Sequence, residues 1–367
     1  MAPSLVAPPR AYCGRVAESA PRPAIERATI EHVALAAGVS VATVSRALRG
    51  LPNVAAATRA RVQEVARQLD YRADTAASRP AAGRTDTVAV VVPMINSWYF
   101  SNVVAGAEAV CAESGYDLLV VSAPTAATRH EVIATVEALH RRVDGVIFAE
   151  VPLAVEEVED LRHRRLGVVT IGQETRIYPA VRIDNGRIGE MAVEHLLDLG
   201  HRHIGILGGQ AEDPAHSDVP GRRIDGARAA LAAAGVQLDP TLVANGAFTV
   251  DGGRQATLEL LSRSDPPTAI FALSDEMAFG AVLAARELGV DIPRELSLIG
   301  VDDHEVAQVI GLTTIRQRVA EHGAVAARAL LRRLSGEDGS LEPVPPEPEL
   351  IVRTSTLRYR AVDIRSA

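Results

Sequence analysis

Five side chains with DNA-reading chemistry stand close together in the stretch SVATVSRAL: Val41, Ala42, Thr43, Ser45 and Arg46. On a helix that begins after Ser40 they share the outward side, while Val44, Ala47 and Leu48 form an inward stripe. An arginine forks onto a guanine edge, and a methyl-sized group meets a thymine methyl. A second set lies far along the chain. Asp302 follows the apolar run Ile299-Gly300-Val301, and Gln317 follows Thr313-Thr314-Ile315-Arg316. An ionised carboxylate accepts several hydroxyl donors while an amide fixes orientation, a chemistry suited to a polyol. Ser97-Trp98-Tyr99-Phe100 holds the one tryptophan of the chain within three consecutive aromatics. These rings either pack under a loop or form a stacking wall for a sugar ring or another planar ligand.

The first set needs a support, because a helix as short as 41–48 does not stand alone. The segment before it supplies one. Thr29 is placed as an N-cap, Ile30, Val33, Ala34 and Ala37 share one face, and Gly38 falls where a residue past a helix end often takes positive φ. After the turn cluster Arg49–Asn53, a third helix over roughly 55–69 closes the bundle through Val62, Val65, Ala66 and Leu69. This is the helix-turn-helix arrangement, whose second helix enters the major groove. A helical hairpin inside a core is the competing reading of the two-helix pattern alone. Charge bears on the choice. Residues 1–84 carry 12 arginines against 6 acidic residues, whereas the remainder carries 26 basic and 40 acidic residues; the chain has no lysine. A formal charge of −8 spread evenly would argue against nucleic acid. A basic end on an acidic body confines that footprint to one module.

The second set calls for a different scaffold. From Thr87, short β-branched runs (88–92, 118–121, 145–148, 168–171, 204–207, 269–271, 296–301) alternate with helical stretches (102–114, 130–141, 186–199, 222–234, 252–263, 276–289). Continuous apolar strands separated by helices mean parallel sheets covered on both faces. So many βα units exceed one common domain and imply two sheets. Open sheets of this kind bind ligands at the carboxyl ends of their strands, where Asp302 and the Trp98 segment fall. With 47% apolar and only 3% aromatic residues, Ala, Val and Leu must fill the cores.

Several classes drop out. Cys13 and Cys111 make no disulfide framework, which points to a reducing cytoplasm. No apolar run approaches the ~18 residues of a membrane span. Residues 1–27, rich in proline with no apolar signal core, read as a disordered extension. The run Asp302-Asp303-His304-Glu305 cannot turn every member onto one ion, and histidines among His195, His201 and His203 near a helix C-terminus have a macrodipole explanation, so no metal is expected. Without GxSxG, P-loop, HExxH or a strand-borne GxGxxG, neither a catalytic set nor a cofactor is expected, which makes an enzyme unsupported.

Ala28-Thr29-Ile30, Val33-Ala34 and Ala37 through Arg46, continued by Asn53-Val54, Thr58-Arg59-x-Arg61-Val62 and Leu69-Asp70-Tyr71-Arg72, closely resemble the headpiece of the LacI/GalR family of bacterial regulators. The resemblance implies an N-terminal all-α helix-turn-helix headpiece plus an α/β two-lobed periplasmic-binding-protein-like body of two parallel doubly wound sheets. The expected layout is an extension over 1–27, a headpiece over 28–72, a hinge linker over 73–85, a body over 86–353 and a tail over 354–367. One lobe takes about 86–184 and 318–345, the other about 185–317 and 346–353. The family also implies a repressor-type regulator of transcription: a homodimer on double-stranded operator DNA, controlled by a small sugar-like effector between the lobes. Thr29, Ser40, Asn53 and Tyr71 then join the DNA-facing set. Pro80 takes the position of the family's minor-groove leucine, and a proline inside a hinge helix removes a donor, so a shorter or weaker hinge helix is expected. Arg223, in Gly221-Arg222-Arg223-Ile224-Asp225-Gly226, matches an arginine that points into the cleft; Phe248 falls where an aromatic is common, and Ser274 replaces the more usual asparagine. For each of these, capping or lobe packing is the competing role. No leucine heptads follow Arg353, so no coiled-coil tetramer is expected. A ligand-binding module without regulation, or a sugar-processing enzyme, are the rival classes, opposed by residues 29–72 and by the missing catalytic set.

Overall fold

The computed structural model describes residues 28–48, 52, 54–71, 84–123, 142–163, 166–175, 177–208, 218–337 and 344–359. Contacts divide the chain into two units, 1–81 and 82–367. The extension 1–27, Asn53, the linker residues 73–83 with Pro80, and the helix expected over 130–141 lie outside the described residues.

In the first unit three helices, α1 (Ile30–Ala37), α2 (Val41–Leu48) and α3 (Ala56–Gln68), enclose a core of Val33, Ala34, Ala37, Val44, Ala47, Val62 and Ala66. Gly38, at φ 65°, ends α1 and donates its N–H to the carbonyls of Ala34 and Leu35, a left-handed cap that glycine adopts without strain. Ser40 opens α2 by accepting the Thr43 N–H on its hydroxyl at 3.2 Å. The Thr29 N–H donates to His32 Nδ1 at 3.3 Å. Small apolar side chains on the inner faces let three short helices approach closely around one core.

The second unit is built on two sheets. Lobe 1 holds β1 (Thr87–Val92), α4 (Trp98–Glu113), β2 (Asp117–Ser122), β3 (Gly145–Ala149), α5 (Val155–His163), β4 (Gly167–Ile171) and β5 (Ala180–Val181), with strand order β2-β1-β3-β4-β5, all parallel. Lobe 2 follows with α6 (Asn185–Asp198), β6 (Ile204–Gly208), α7 (Val219–Ala233), a 3-10 turn at Pro240–Leu242, β7 (Val243–Asn245), α8 (Val250–Leu261), β8 (Ala269–Ala272), α9 (Asp275–Leu288), β9 (Ser297–Asp302), α10 (Glu305–Ile310) and β10 (Thr313–Arg316). The chain then crosses back, since α11 (Val319–Leu334) packs on α4 and β4, and ends in β11 (Glu349–Ile351) on the lobe 2 sheet. That sheet runs β11-β10-β9-β8-β6-β7, and only β11 is antiparallel to its neighbour. The inner parallel strands are apolar and buried almost throughout, as coverage on both faces requires, while the edge strands β2 and β7 are only partly buried. Strands β5, β7 and β10 and helices α5 and α10 are outside the sequence expectation. Two or three residues in β5 and β7 give too little pattern, and β10 is mostly Thr and Arg. Val155–His163 carries four acidic side chains among few apolar ones, and α10 is less than two turns long.

Candidate functional site

On the first unit, Val41, Ala42 and Arg46 are exposed on α2, Thr43 and Ser45 are half-buried, and Val44 and Ala47 are buried. Thr29 and Ser40 are exposed at the starts of their helices. Tyr71 is half-buried against the helical core, as Thr43 and Ser45 are half-buried on α2, and its N–H closes the end of α3 on the Ala66 carbonyl at 2.8 Å.

In the second unit the polar residues converge at strand ends. Arg223, 4% exposed on α7, donates from Nε to Asn185 Oδ1 at 2.9 Å and from Nη1 to the Leu273 carbonyl. Two glycines set its position. A Cβ on Gly226 would lie 1.9 Å from the Gly186 oxygen, and one on Gly189 would lie 2.0 Å from the Arg223 oxygen, so α6 and α7 meet backbone to backbone. Burial lowers the guanidinium's proton affinity, while Asp302, Tyr99 and Glu150 oppose that shift.

Asp302, 6% exposed with φ 117°, accepts from Gln317 Nε2 at 2.6 Å. Burial pushes its carboxyl up to about 7, against the pull of Arg223 and the Gln317 amide, with Glu276 adding repulsion. Among the described residues, three polar atoms in this region are buried without a hydrogen-bond partner: the Tyr99 hydroxyl, Gln317 Oε1 and His322 Nδ1. Burial lowers His322 to about 4, against the opposing pull of the Gln317 backbone, so its ring is neutral, and it lies 6.3 Å from the Tyr99 ring between centroids. Unpaired buried polar atoms are costly unless a ligand or water completes them.

The other expected residues divide. The Ser274 hydroxyl accepts the Met277 N–H at 3.3 Å and caps α9. Phe248, at φ 52°, is half-buried against the lobe 2 core. Phe100 meets Tyr99 edge-on with centroids 5.1 Å apart. Ser97 Oγ lies 3.5 Å from Glu276 Oε2, and Trp98 reaches from lobe 1 to lobe 2, with its Nε1 donating to Glu305 Oε2 at 2.6 Å.

Sequence reasoning missed Glu150, Asp275 and His322. Glu150, 5% exposed at φ 54°, follows the apolar run of β3 as Asp302 ends that of β9, so the strand-end rule applied evenly would have found it. Asp275, fully buried, accepts from Thr314 Oγ1 at 2.7 Å and from the His304 N–H at 2.9 Å, bracing the ends of β9 and β10. Burial and the neighbouring Asp302 raise its carboxyl well above the ordinary range. The histidines have hydrogen bonds where a macrodipole was invoked: His195 Nε2 pairs with Thr356 Oγ1 at 3.0 Å, and His201 joins Thr268 Oγ1 at 2.9 Å to the Leu357 carbonyl at 3.0 Å, pinning the C-terminal segment. Among the described residues, no group of three or more His, Cys, Asp or Glu is placed to hold a metal ion. No helix among them is long and apolar enough to cross a membrane.

Comparison with known proteins matches residues 29–74 to the bacterial regulatory proteins of the lacI family and residues 193–356 to a periplasmic binding protein-like domain. Catabolite control protein A of Priestia megaterium is 32% identical over 323 residues, covering 86% of this chain and 96% of that protein. Among solved structures, a complex of the transcriptional regulator CelR with cellobiose is 31% identical with a TM-score of 0.65, over 90% of this chain and 100% of that one. The lac repressor dimer bound to operator and the anti-inducer ONPF is 25% identical with a TM-score of 0.76, over the same shares.

Proposed function

The chain belongs to the lacI family of bacterial regulatory proteins and regulates transcription by binding DNA under the control of a small ligand; from that premise we propose that it is a cytoplasmic homodimer on a near-palindromic operator, with a sugar-like effector held between lobes 1 and 2. The observation that carries the effector reading is the buried set Arg223, Asp302 and Gln317, together with the unpartnered Tyr99 hydroxyl and Gln317 Oε1. Asp302 and Gln317 Oε1 offer acceptors to ligand hydroxyls, Arg223 offers donors, and Glu150 adds a buried carboxylate. Ser274 keeps its hydroxyl proton for a ligand while its oxygen caps α9, and Phe248 rims the site. The CelR complex with cellobiose supports a sugar as the class.

On the DNA side, Val41, Ala42 and Arg46 present an apolar start and a basic end to the major groove, with Thr43 and Ser45 beside them. Thr29 and Ser40 flank that surface. The partner copy seats on lobe 2. Val309, 83% exposed, rims a groove lined by Val282, Val290, Ile292 and Ile310 together with Arg286 and Thr354, and Leu283 on α9 is 42% exposed. Exposed apolar side chains rimmed by polar ones suit a subunit interface, and the lac repressor structure is that of a dimer. Effector binding and operator binding are coupled because the ligand favours one lobe arrangement, which changes how the two DNA-binding units of the dimer are presented.

A thermal-shift screen of sugars, sugar phosphates and nucleosides on the full chain tests the reading. A true effector at about 100-fold excess over its dissociation constant adds ~2.7 kcal/mol of stability. Asp302→Ala should abolish that shift; a variant that keeps it in full removes Asp302 from the site.

A further inference from the structure

The expected stacking wall is already engaged. Trp98 begins α4 in lobe 1, yet its indole lies against His304 of lobe 2 with centroids 4.9 Å apart and planes at 28°, and its N–H donates to Glu305 at 2.6 Å. His304 is itself fixed: Phe279 meets it edge-on at 5.1 Å, and its Nδ1 accepts the Val306 N–H at 3.0 Å. A second contact crosses beside it: the Ser97 hydroxyl, which caps no N–H of α4, lies 3.5 Å from Glu276 Oε2 of lobe 2. An acid near a helix N-terminus complements the dipole. Thus two consecutive residues of lobe 1, Ser97 and Trp98, meet the first turns of two lobe 2 helices, α9 at Glu276 and α10 at Glu305, the latter three residues past Asp302.

We propose that Trp98 is a cross-lobe clasp at the mouth of the effector site, which must release His304 and Glu305 before a ligand enters or leaves. The site it gates is the one proposed above. One face of the indole is occupied by imidazole, so a ligand stacks there only by displacing His304. The clasp is made to open. Glu305 is 73% exposed, and a hydrogen bond to a solvated, screened carboxylate exchanges readily with water. While closed it favours one lobe arrangement, so breaking it redistributes the lobes without any ligand.

Trp98 is the sole tryptophan of the chain, and its fluorescence therefore reports the clasp directly. The experiment compares the full chain with the double variant His304→Ala/Glu305→Ala, without added ligand, on an operator selected from random DNA by the parent chain. The expected result is a red-shifted emission, a larger acrylamide quenching constant and a changed operator affinity. Trp98→Ala should change operator affinity in the same direction, and Trp98→Phe, which keeps a ring on His304, by less. Unaltered emission and quenching in the double variant overturn the clasp. Altered emission with unaltered operator affinity overturns the gate. A parent chain that selects no operator faults the regulatory reading instead, while the emission comparison still decides the clasp.

Discussion

Among the described residues of the first unit, seven small or medium apolar residues are buried, and the side chains with DNA-reading chemistry, Val41, Ala42 and Arg46, face outward. In the second unit the arrangement is inverted: Arg223, Asp302 and Gln317 are 4%, 6% and 2% exposed, each tied to residues far away in sequence. The difference has an energetic meaning. An outward residue loses only its contact with a partner when it is replaced. A buried one leaves another charge or lone pair stranded, because the interior offers no water to replace it. Changes in the cleft should therefore couple to folding and to one another, and changes on α2 should not.

The largest effect is expected from Arg223→Ala. It strands the buried Asn185 Oδ1 and Leu273 carbonyl and removes the positive charge that acts on Asp302. Each stranded buried group costs roughly 1–3 kcal/mol, and the loss should appear both in thermal stability and in a vanished ligand response. Operator binding by the ligand-free protein should stay nearly intact. A ligand isotherm unaltered in the variant would place Arg223 among packing residues.

Next comes His322. Its folded pKa of about 4 lies below the ordinary 6.5, so the folded chain binds fewer protons than the unfolded one between those values. The stability it contributes is fully present above pH 6.5 and is lost as pH falls through 4, by up to about 3 kcal/mol. Denaturant melts of His322→Gln should show a correspondingly flatter slope between pH 6.5 and 4, and an unchanged slope would assign the acid sensitivity elsewhere. Asp302 acts with the opposite sign: its carboxyl, raised to about 7, opposes folding progressively as pH climbs from 3.8 through 7.

On the headpiece, Arg46→Ala should weaken specific binding by roughly 1–3 kcal/mol if the guanidinium reads a guanine edge, with no change in melting temperature. An equal loss on specific and random DNA would make it a phosphate contact. The smallest change in total affinity is expected from replacing Val41 and Ala42 with Tyr and Gln. Binding-site selection should then return a shifted half-site, and an unshifted one would contradict the groove-facing assignment.

The same inversion governs what the sequence reveals. The outward face of α2 was legible because exposure there follows the 3.6-residue period, and Gly38 marked the turn by its backbone freedom. Long apolar strands such as Thr87–Val92 announced a buried parallel sheet. Residues 313–316, Thr-Thr-Ile-Arg, did not, since three of the four are polar and their burial comes from pairing with β9 and β11. Asp302 was found from its place at a strand end, yet Asp275 was not, because its role depends on Thr314, 39 residues away. Trp98 was marked as an aromatic near a ligand; that its partners would be His304 and Glu305 is a property of the tertiary arrangement.

The central claim is that a ligand bound in the cleft controls specific DNA binding, and one titration tests it most directly. The full chain is titrated onto its selected operator and onto random DNA of equal length, with and without a ligand from the stability screen. The account predicts operator binding tighter than random binding by about 10³-fold or more, shifted by the ligand in the parent chain and not in Asp302→Ala. Equal affinity for operator and random DNA, or a ligand shift that survives in Asp302→Ala, would contradict it.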